Sequence, residues 1–198
     1  MIPKRGEPIR GRRVTLRPLG PDDLPAKARW SVDPELVGLM SGHPEYARTG
    51  FDEAMAETRR WWEARVKETT SEQWAILGPD GSLIGSLDLY DLSARPAEPA
   101  AGPVVTRRAG LVPEIYESRH RGQGLGTEAM ALAIKRAFEE LGQSGFEVEV
   151  LPDNVRARRA FAKLGFMESG RRTGPDGIEW VVMVLSAASP GHRQGRGR

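Results

Sequence analysis

The chain lacks the features that define several classes of protein. It has no cysteine, which excludes a disulfide framework, a thiolate nucleophile and a thiolate metal site. No apolar run approaches the roughly 20 residues that a membrane-spanning helix needs, and the first residues lack the apolar stretch of a signal peptide. The three histidines, His43, His120 and His192, are too scattered to predict a zinc site. We therefore expect a cytoplasmic protein without a bound metal or a membrane anchor.

Net charge is also low, because 29 lysines and arginines are opposed by 27 acidic residues. The basic excess lies at the ends: residues 1–13 carry +4 and residues 187–198 carry +3, which leaves the middle of the chain at −5. The length suits one domain. We expect a basic segment over 1–12, one domain over 13–186 and a disordered basic tail over 187–198. RNA binding through these ends stays an alternative, and it predicts a steeply salt-dependent affinity.

Strand and helix patterns alternate along the whole domain. The predicted strands lie over 13–18, 73–77, 83–89, 108–116, 146–151, 166–170 and 178–184. The predicted helices begin at residue 21, span 51–67, follow residue 124 and span 154–164. A proline- and alanine-rich loop is expected over 93–103. Strands and helices mixed around one sheet indicate an α+β fold.

The most informative segment reads RHRGQGLGTEAM over residues 119–130. Gly122, Gly124 and Gly126 alternate and lead into an apolar, helix-forming run. Glycine lets a ligand approach the backbone, and the start of a helix presents unpaired N–H groups and a positive dipole end. We therefore predict a phosphate or pyrophosphate site between a strand and a helix. No lysine follows as in a Walker loop, and the glycine spacing differs from the Rossmann pattern. An ordinary glycine-rich turn is the alternative.

A second segment reads NVRARRAFAKLGF over residues 154–166. Asn154 is a suitable N-cap residue, apolar residues recur at helical spacing, and Gly165 is placed to end the helix in the left-handed conformation. These features predict an amphipathic helix between two strands. An ordinary amphipathic helix with normal ends is the alternative.

Together the two segments resemble the signatures of the GNAT superfamily of N-acetyltransferases. Arg121, Gly124 and Gly126 fill the fixed places of its acyl-CoA loop, Arg/Gln-x-x-Gly-x-Gly/Ala, and residues 154–166 resemble its second signature, which runs from an asparagine to Lys-x-Gly-Phe. The resemblance covers roughly residues 12–185 and is best to the RimJ/RimL type. It implies a mixed, mostly antiparallel central sheet flanked by helices, in which the fourth and fifth strands splay apart.

The resemblance also implies an activity. A GNAT protein moves the acetyl group of acetyl-CoA directly to a primary amine, here of a protein N-terminus or a small molecule, with acetyl-CoA as co-substrate and no metal. Dimers are common in the superfamily, and neither a membrane nor a nucleic acid is an expected partner. The residues implied to bind the cofactor are Ile115, Tyr116, Arg121, Gly122, Gln123, Gly124, Leu125, Gly126, Thr127 and Asn154.

The catalytic acid and base are harder to assign. Phe161 stands where many members carry a tyrosine, and Ala157 stands where RimL-type members can carry a serine. Glu114 and Tyr116 are the substitutes, because they share one face of the predicted strand near the splay, and Glu114 could act as the base through water. Both could also be ordinary strand residues. The missing acids leave open a non-catalytic acyl-CoA-binding module as the alternative function.

One expectation concerns the acceptor groove. The helix over 51–67 carries acidic residues, and the resemblance places this helix along the groove. Negative charge there would attract a cationic amine. A solvated acidic face offset by neighbouring arginines is the alternative. The acidic residues concerned are Asp52, Glu53, Glu57 and Glu63.

Overall fold

The computed structural model describes residues 7–92 and 108–187, which fold as eight strands and five α-helices. The strands are β1 (Ile9–Arg10), β2 (Thr15–Pro18), β3 (Glu72–Leu77), β4 (Leu83–Tyr90), β5 (Gly110–Ile115), β6 (Gly145–Val150), β7 (Met167–Thr173) and β8 (Glu179–Ser186). The helices are α1 (Leu24–Trp30), α2 (Pro34–Ser41), α3 (Phe51–Arg65), α4 (Leu125–Glu139) and α5 (Val155–Lys163).

The strands form two antiparallel sheets that meet at one corner. The first has the order β1-β2-β3-β4-β5 and the second the order β6-β8-β7. A parallel bridge joins them, in which the N–H of Ala109 donates to the carbonyl of Gly145 (3.1 Å) and the carbonyl of Ala109 accepts from Glu147 (3.0 Å). No further ladder links β5 to β6 in the described part of the chain, so the two strands diverge. The predicted α+β fold is confirmed, with β5 and β6 as the splayed strands.

The hydrophobic core extends from the first sheet and α4 to the second sheet and α5. Alternate residues of β4 and β5 point at α4, so Leu87, Leu89 and Leu111 are buried against a face of this helix that includes Ala129 and Ala133. Small alanines let the helix approach the sheet closely, and each buried leucine contributes about 2 kcal/mol. This packing places the N-terminus of α4 beside the end of β5, where the predicted anion site lies.

Local sequence signals predicted most elements correctly. The β3–β4 hairpin, the strand before the glycine turn, α4, α5 and the final β7–β8 pair all form as expected. Two elements were not predicted. The two-residue strand β1 pairs with β2, so the strand expected at the edge lies inside the sheet and the sheet begins at Ile9. The helix α2 is the other element that the sequence analysis does not predict.

Some expectations fall outside the described residues. The loop over 93–103 lies there, and so does the basic tail apart from residue 187. Within 7–92 and 108–187 no helix has the length and apolar character to cross a membrane. The same residues contain no group of three or more histidine, aspartate or glutamate side chains that could hold a metal ion.

Candidate functional site

A cleft of about 480 Å³ opens where β5 and β6 diverge. Its walls are the end of β5, the glycine turn, the first turn of α4, the end of β6, one face of α5 and part of α2. Most of the predicted site residues meet there, although they come from three separate segments of the chain. Those that line the cleft are Glu114, Ile115, Arg121, Gly122, Gly124, Leu125, Gly126, Thr127 and Asn154.

The glycine turn has the conformation that the sequence predicts. Gly122 and Gly124 have φ angles of 74° and 80°, in the left-handed region that favours glycine. A Cβ atom on Gly122 would meet no heavy atom within 4 Å, so the space beside it is open. Gly124 is the N-cap of α4, and the first N–H groups of a helix have no partner inside it. An open turn beside unpaired N–H groups fits a pyrophosphate.

Two arginines fix the turn from opposite sides. Arg121 donates from Nε to the carbonyl of Ile115 (3.0 Å) and from Nη2 to that of Tyr116 (2.7 Å), and its side chain is almost fully buried. Arg13 donates from Nη1 to the carbonyl of Gln123 (2.9 Å) and from Nε to Glu128 (3.1 Å). The sequence predicts that the guanidinium of Arg121 contacts the cofactor. In the structure its Nε and Nη2 donors bind backbone carbonyls at the end of β5. Gln123 does not line the cleft.

The free edge of β5 directs backbone donors at the cleft. Alternate residues of a strand present their N–H and C=O groups to the same edge. Ala109 bonds across to β6, so the N–H groups of Leu111 and Ile115 face the gap between the strands. The N–H of Tyr116 points the other way and donates to the carbonyl of Ile84 (3.0 Å). Of the two residues expected to bond pantetheine, Ile115 therefore has its backbone donor at the splay and Tyr116 does not.

Glu114 belongs to a polar cluster on the opposite face of the sheet from α4. It forms an ion pair with Lys27 of α1, and Ser86 of β4 donates to the same oxygen, Oε2, at 2.7 Å. Lys27 lies 4.5 Å from the ring centroid of Trp61 on α3. Burial favours the neutral amine of Lys27, but the charges of Glu114 and Asp88 outweigh it and raise the lysine pKa. Sequence reasoning missed Lys27, because nothing local marks it as a partner of Glu114.

Two further titratable groups, Asp88 and Tyr116, interact with Lys27 and Glu114 in the same cluster. Burial raises the pKa of Asp88 to about 6, against the opposing charge of Lys27. Burial likewise raises the pKa of the Tyr116 phenol, although the charge of Lys27 and the hydroxyl of Ser86 act to lower it. Glu114 and Tyr116 thus share a face as predicted. Only Glu114 of the two lines the cleft.

Asn154 and its neighbours form the wall opposite the glycine turn. The Oδ1 atom of Asn154 accepts from the N–H of Ala157 (3.1 Å), which confirms the predicted N-cap, and Nδ2 donates to the carbonyl of Leu39 (3.4 Å). These contacts join α5 to α2. Phe161 is buried edge-on against Phe166 with ring centroids 5.0 Å apart. A core phenylalanine supplies no proton, so the missing family acid has no replacement at this position.

The acidic side chains of α3 lie outside this cleft. No residue of α3 lines the cleft. Glu57 pairs with Arg48 (2.5 Å), and Glu53 accepts from the hydroxyl of Thr49 (2.9 Å). The carboxylates that line the cleft are those of Glu114 on β5 and Glu149 on β6. Electrostatic attraction of an amine by α3 stays a prediction.

The contacts of His43, here called the histidine clasp, connect the wall that contains α2 to the β7–β8 turn. His43, which follows α2, contacts Glu45 through Nδ1 (2.7 Å) and Asp176 of the β7–β8 turn through Nε2 (3.2 Å), and it stacks on Tyr46. Its pKa is raised, first by the hydrogen bond to Glu45 and, against partial desolvation, by Asp176. The clasp therefore joins two segments that are distant in sequence, and it does so best when the imidazole is protonated.

This geometry predicts a pH-dependent contribution to stability. A group whose folded pKa is raised stabilises the protein fully below its ordinary pKa, about 6.5 for histidine, and loses that contribution as pH rises through the folded pKa. Replacing His43 with glutamine should therefore lower the free energy of unfolding more in mildly acidic than in mildly alkaline buffer, measured by urea titration. His120→Gln is the matched control, because His120 forms no ion pair in the described part of the chain. An equal loss in the free energy of unfolding at both pH values would contradict this role of the histidine clasp.

Comparison with known proteins places the chain in a family. Residues 13–167 match the family described as Acetyltransferase (GNAT) domain. The Probable N-acetyltransferase YjcK of Bacillus subtilis is 29% identical over 194 residues, which span 94% of this chain and 99% of the relative.

Solved structures share the fold over nearly the whole chain. Spermidine N-acetyltransferase from Vibrio cholerae, solved with CoA and spermine, superposes with a TM-score of 0.72 at 17% identity, covering 90% of this chain and 98% of that one. RimJ of Mycobacterium smegmatis, solved with CoA-disulfide, gives 0.66 at 22% identity over 94% and 91%. The chain belongs to the GNAT family of acetyltransferases.

Proposed function

We propose that this protein transfers the acetyl group of acetyl-CoA to a primary amine. The observation that carries the proposal is that one cleft is lined by both an open glycine turn at a helix N-terminus and a carboxylate, that of Glu114. The first suits the pyrophosphate of CoA, and the second suits an amine that must lose a proton. The acceptor is an amine of a small molecule or a protein N-terminus, and the loop signature favours the RimJ/RimL type.

The residues of the cleft support direct attack. Both Lys27 and Ser86 contact Oε2 of Glu114, which leaves Oε1 to take a proton from the acceptor ammonium, directly or through water. The amine nitrogen then attacks the thioester carbon, and the C–N bond forms. The C–S bond breaks with its electron pair on sulfur, and the nitrogen releases its second proton to solvent to give the neutral amide. The N–H of Ile115 faces the gap and can polarise the carbonyl oxygen. Solvent protonates the CoA thiolate, which is a good leaving group.

A thiol-release assay tests this activity. Purified protein is mixed with acetyl-CoA and separate pools of polyamines, aminoglycosides and short peptides, and free CoA thiol is measured with a colorimetric thiol reagent. Because the chain has no cysteine, the protein itself gives no background signal. We expect thiol release that depends on one acceptor pool and matches the amount of acetylated amine found by mass spectrometry. CoA binding without turnover on any pool would instead indicate a non-catalytic acyl-CoA-binding module.

Replacing Gly124 with valine should abolish most cofactor binding. A β-branched side chain at a φ of 80° is strained, and its methyl groups would stand where the pyrophosphate must approach the backbone. We expect the Kd for CoA, measured by calorimetry, to rise at least about a hundredfold. Gly81→Val is the matched control, since Gly81 has the same φ angle in the β3–β4 turn, away from the cleft. If both variants bind CoA like the wild type, the cofactor lies elsewhere.

A further inference from the structure

The charged residues that line the cleft include cations that have no acidic partner in the described part of the chain. Each acid on its walls is paired: Glu114 with Lys27, and Glu149 with Arg172. The guanidinium of Arg121 is largely satisfied by backbone carbonyls. Three cations of α5 remain, and none of them has an ion-pair partner in the described part of the chain. They are Arg156, Arg159 and Lys163.

The three cations form one row along α5. Spacings of three and four residues place side chains on the same face of a helix, and this face lines the cleft. Arg158 is the contrast, because it points away and is satisfied by Glu168 (3.0 Å) and the carbonyl of Pro152 (2.9 Å). We name the row of Arg156, Arg159 and Lys163 the cationic ridge. Three exposed positive charges close together create a positive potential that attracts an anionic ligand.

We propose that the cationic ridge binds the 3′-phosphate of CoA, so that the protein distinguishes CoA from dephospho-CoA. The inference rests on the proposed function, which places CoA in this cleft. The neutral N–H groups of the glycine turn suit the pyrophosphate, whereas fully charged side chains on a separate helix suit a second, more strongly charged group. A phosphate monoester carries close to two negative charges, and CoA has one such group at its adenosine end.

The location of the ridge favours a small ligand over a nucleic acid. The ridge lies on a wall of the cleft that also holds the glycine turn, rather than on a separate outer face. Its three side chains are exposed at the rim, so a phosphate held there stays partly hydrated and screened. The expected discrimination is therefore moderate, about tenfold in Kd, and it should shrink as salt is added.

Calorimetric titration of CoA and dephospho-CoA tests the proposal, because the two ligands differ only in the 3′-phosphate. The wild type should bind CoA about tenfold more tightly. The triple variant Arg156→Gln, Arg159→Gln, Lys163→Gln should bind both ligands equally, with the affinity that the wild type has for dephospho-CoA. Arg158→Gln is the matched control and should keep the wild-type preference. Thermal unfolding of each variant checks that the fold is intact.

The outcomes separate this inference from the proposed function. If the wild type binds neither ligand, the proposed function fails. If it binds both with the same Kd, the function stands and the ridge has no role in selecting the 3′-phosphate. A triple variant that keeps the full preference for CoA would also overturn the inference, since the phosphate would then be recognised elsewhere.

Discussion

Replacing Glu114 with glutamine is expected to lower kcat/KM for amine acetylation by about 10²- to 10⁴-fold, the usual contribution of a general base. Glutamine keeps the size of the side chain and can still accept from Ser86, but its amide cannot take a proton from the acceptor. The affinity for CoA should stay close to that of the wild type, because the glycine turn is unchanged. Steady-state kinetics with the best acceptor, together with CoA titration, separates these two effects.

The control for this variant is Glu117→Gln. Glu117 lies three residues further along the chain, is exposed and pairs with Arg119. The Glu117→Gln variant should therefore retain the wild-type kcat/KM within about twofold. Glu114→Gln also leaves the ammonium of Lys27 without its partner, so its thermal midpoint must be measured beside its rate. A folded Glu114→Gln protein with unchanged kcat/KM would remove Glu114 from the reaction.

The second large effect concerns stability. Arg136 of α4 donates from Nε and Nη2 to both carboxylate oxygens of Glu72 on β3 (3.2 and 3.1 Å), and its guanidinium lies 5.4 Å from the ring centroid of Trp74. Both charged partners are buried. Arg136→Met would leave the carboxylate of Glu72 inside the protein without its cation. We expect a loss of about 3–5 kcal/mol in the free energy of unfolding, measured by urea titration.

Two further variants make this prediction specific. Lys135→Met is the matched control on the same helix, because Lys135 is exposed and its contact with Glu139 is 4.0 Å long. It should change stability by less than about 1 kcal/mol. Adding Glu72→Met to Arg136→Met removes both buried charges and should recover much of the loss. If Arg136→Met alone is as stable as Lys135→Met, the pair does not hold α4 to the sheet.

Signals contained in short segments predicted the cofactor side of the site. The left-handed glycines of the turn, the N-cap at Asn154 and the end of α5 before Gly165, with its φ of 92°, all depend on residues close together in the chain. Backbone conformation follows from such local chemistry. The splay of β5 and β6 came instead from the family resemblance, since no pattern within either strand indicates it.

The features of the site that the sequence does not predict depend on contacts between residues that are distant in the chain. Lys27 and Glu114 are 87 positions apart, and neither has neighbours that mark it as a partner of the other. The inward turn of Arg121 and the burial of the Tyr116 hydroxyl likewise depend on how β5 packs. The helix α2 is different, because Asp33 at its N-cap and the left-handed Gly42 after its end are local signals that could have revealed it.

The most direct test of the account is a crystal structure of the protein with acetyl-CoA. We expect the pyrophosphate to lie within hydrogen-bond distance of the N–H groups at the start of α4. The thioester should lie in the gap between β5 and β6, on the side where Glu114 reaches the cleft. Acetyl-CoA bound outside this cleft, for example in the polar depression beside Tyr90 and Arg172, would contradict the central claim.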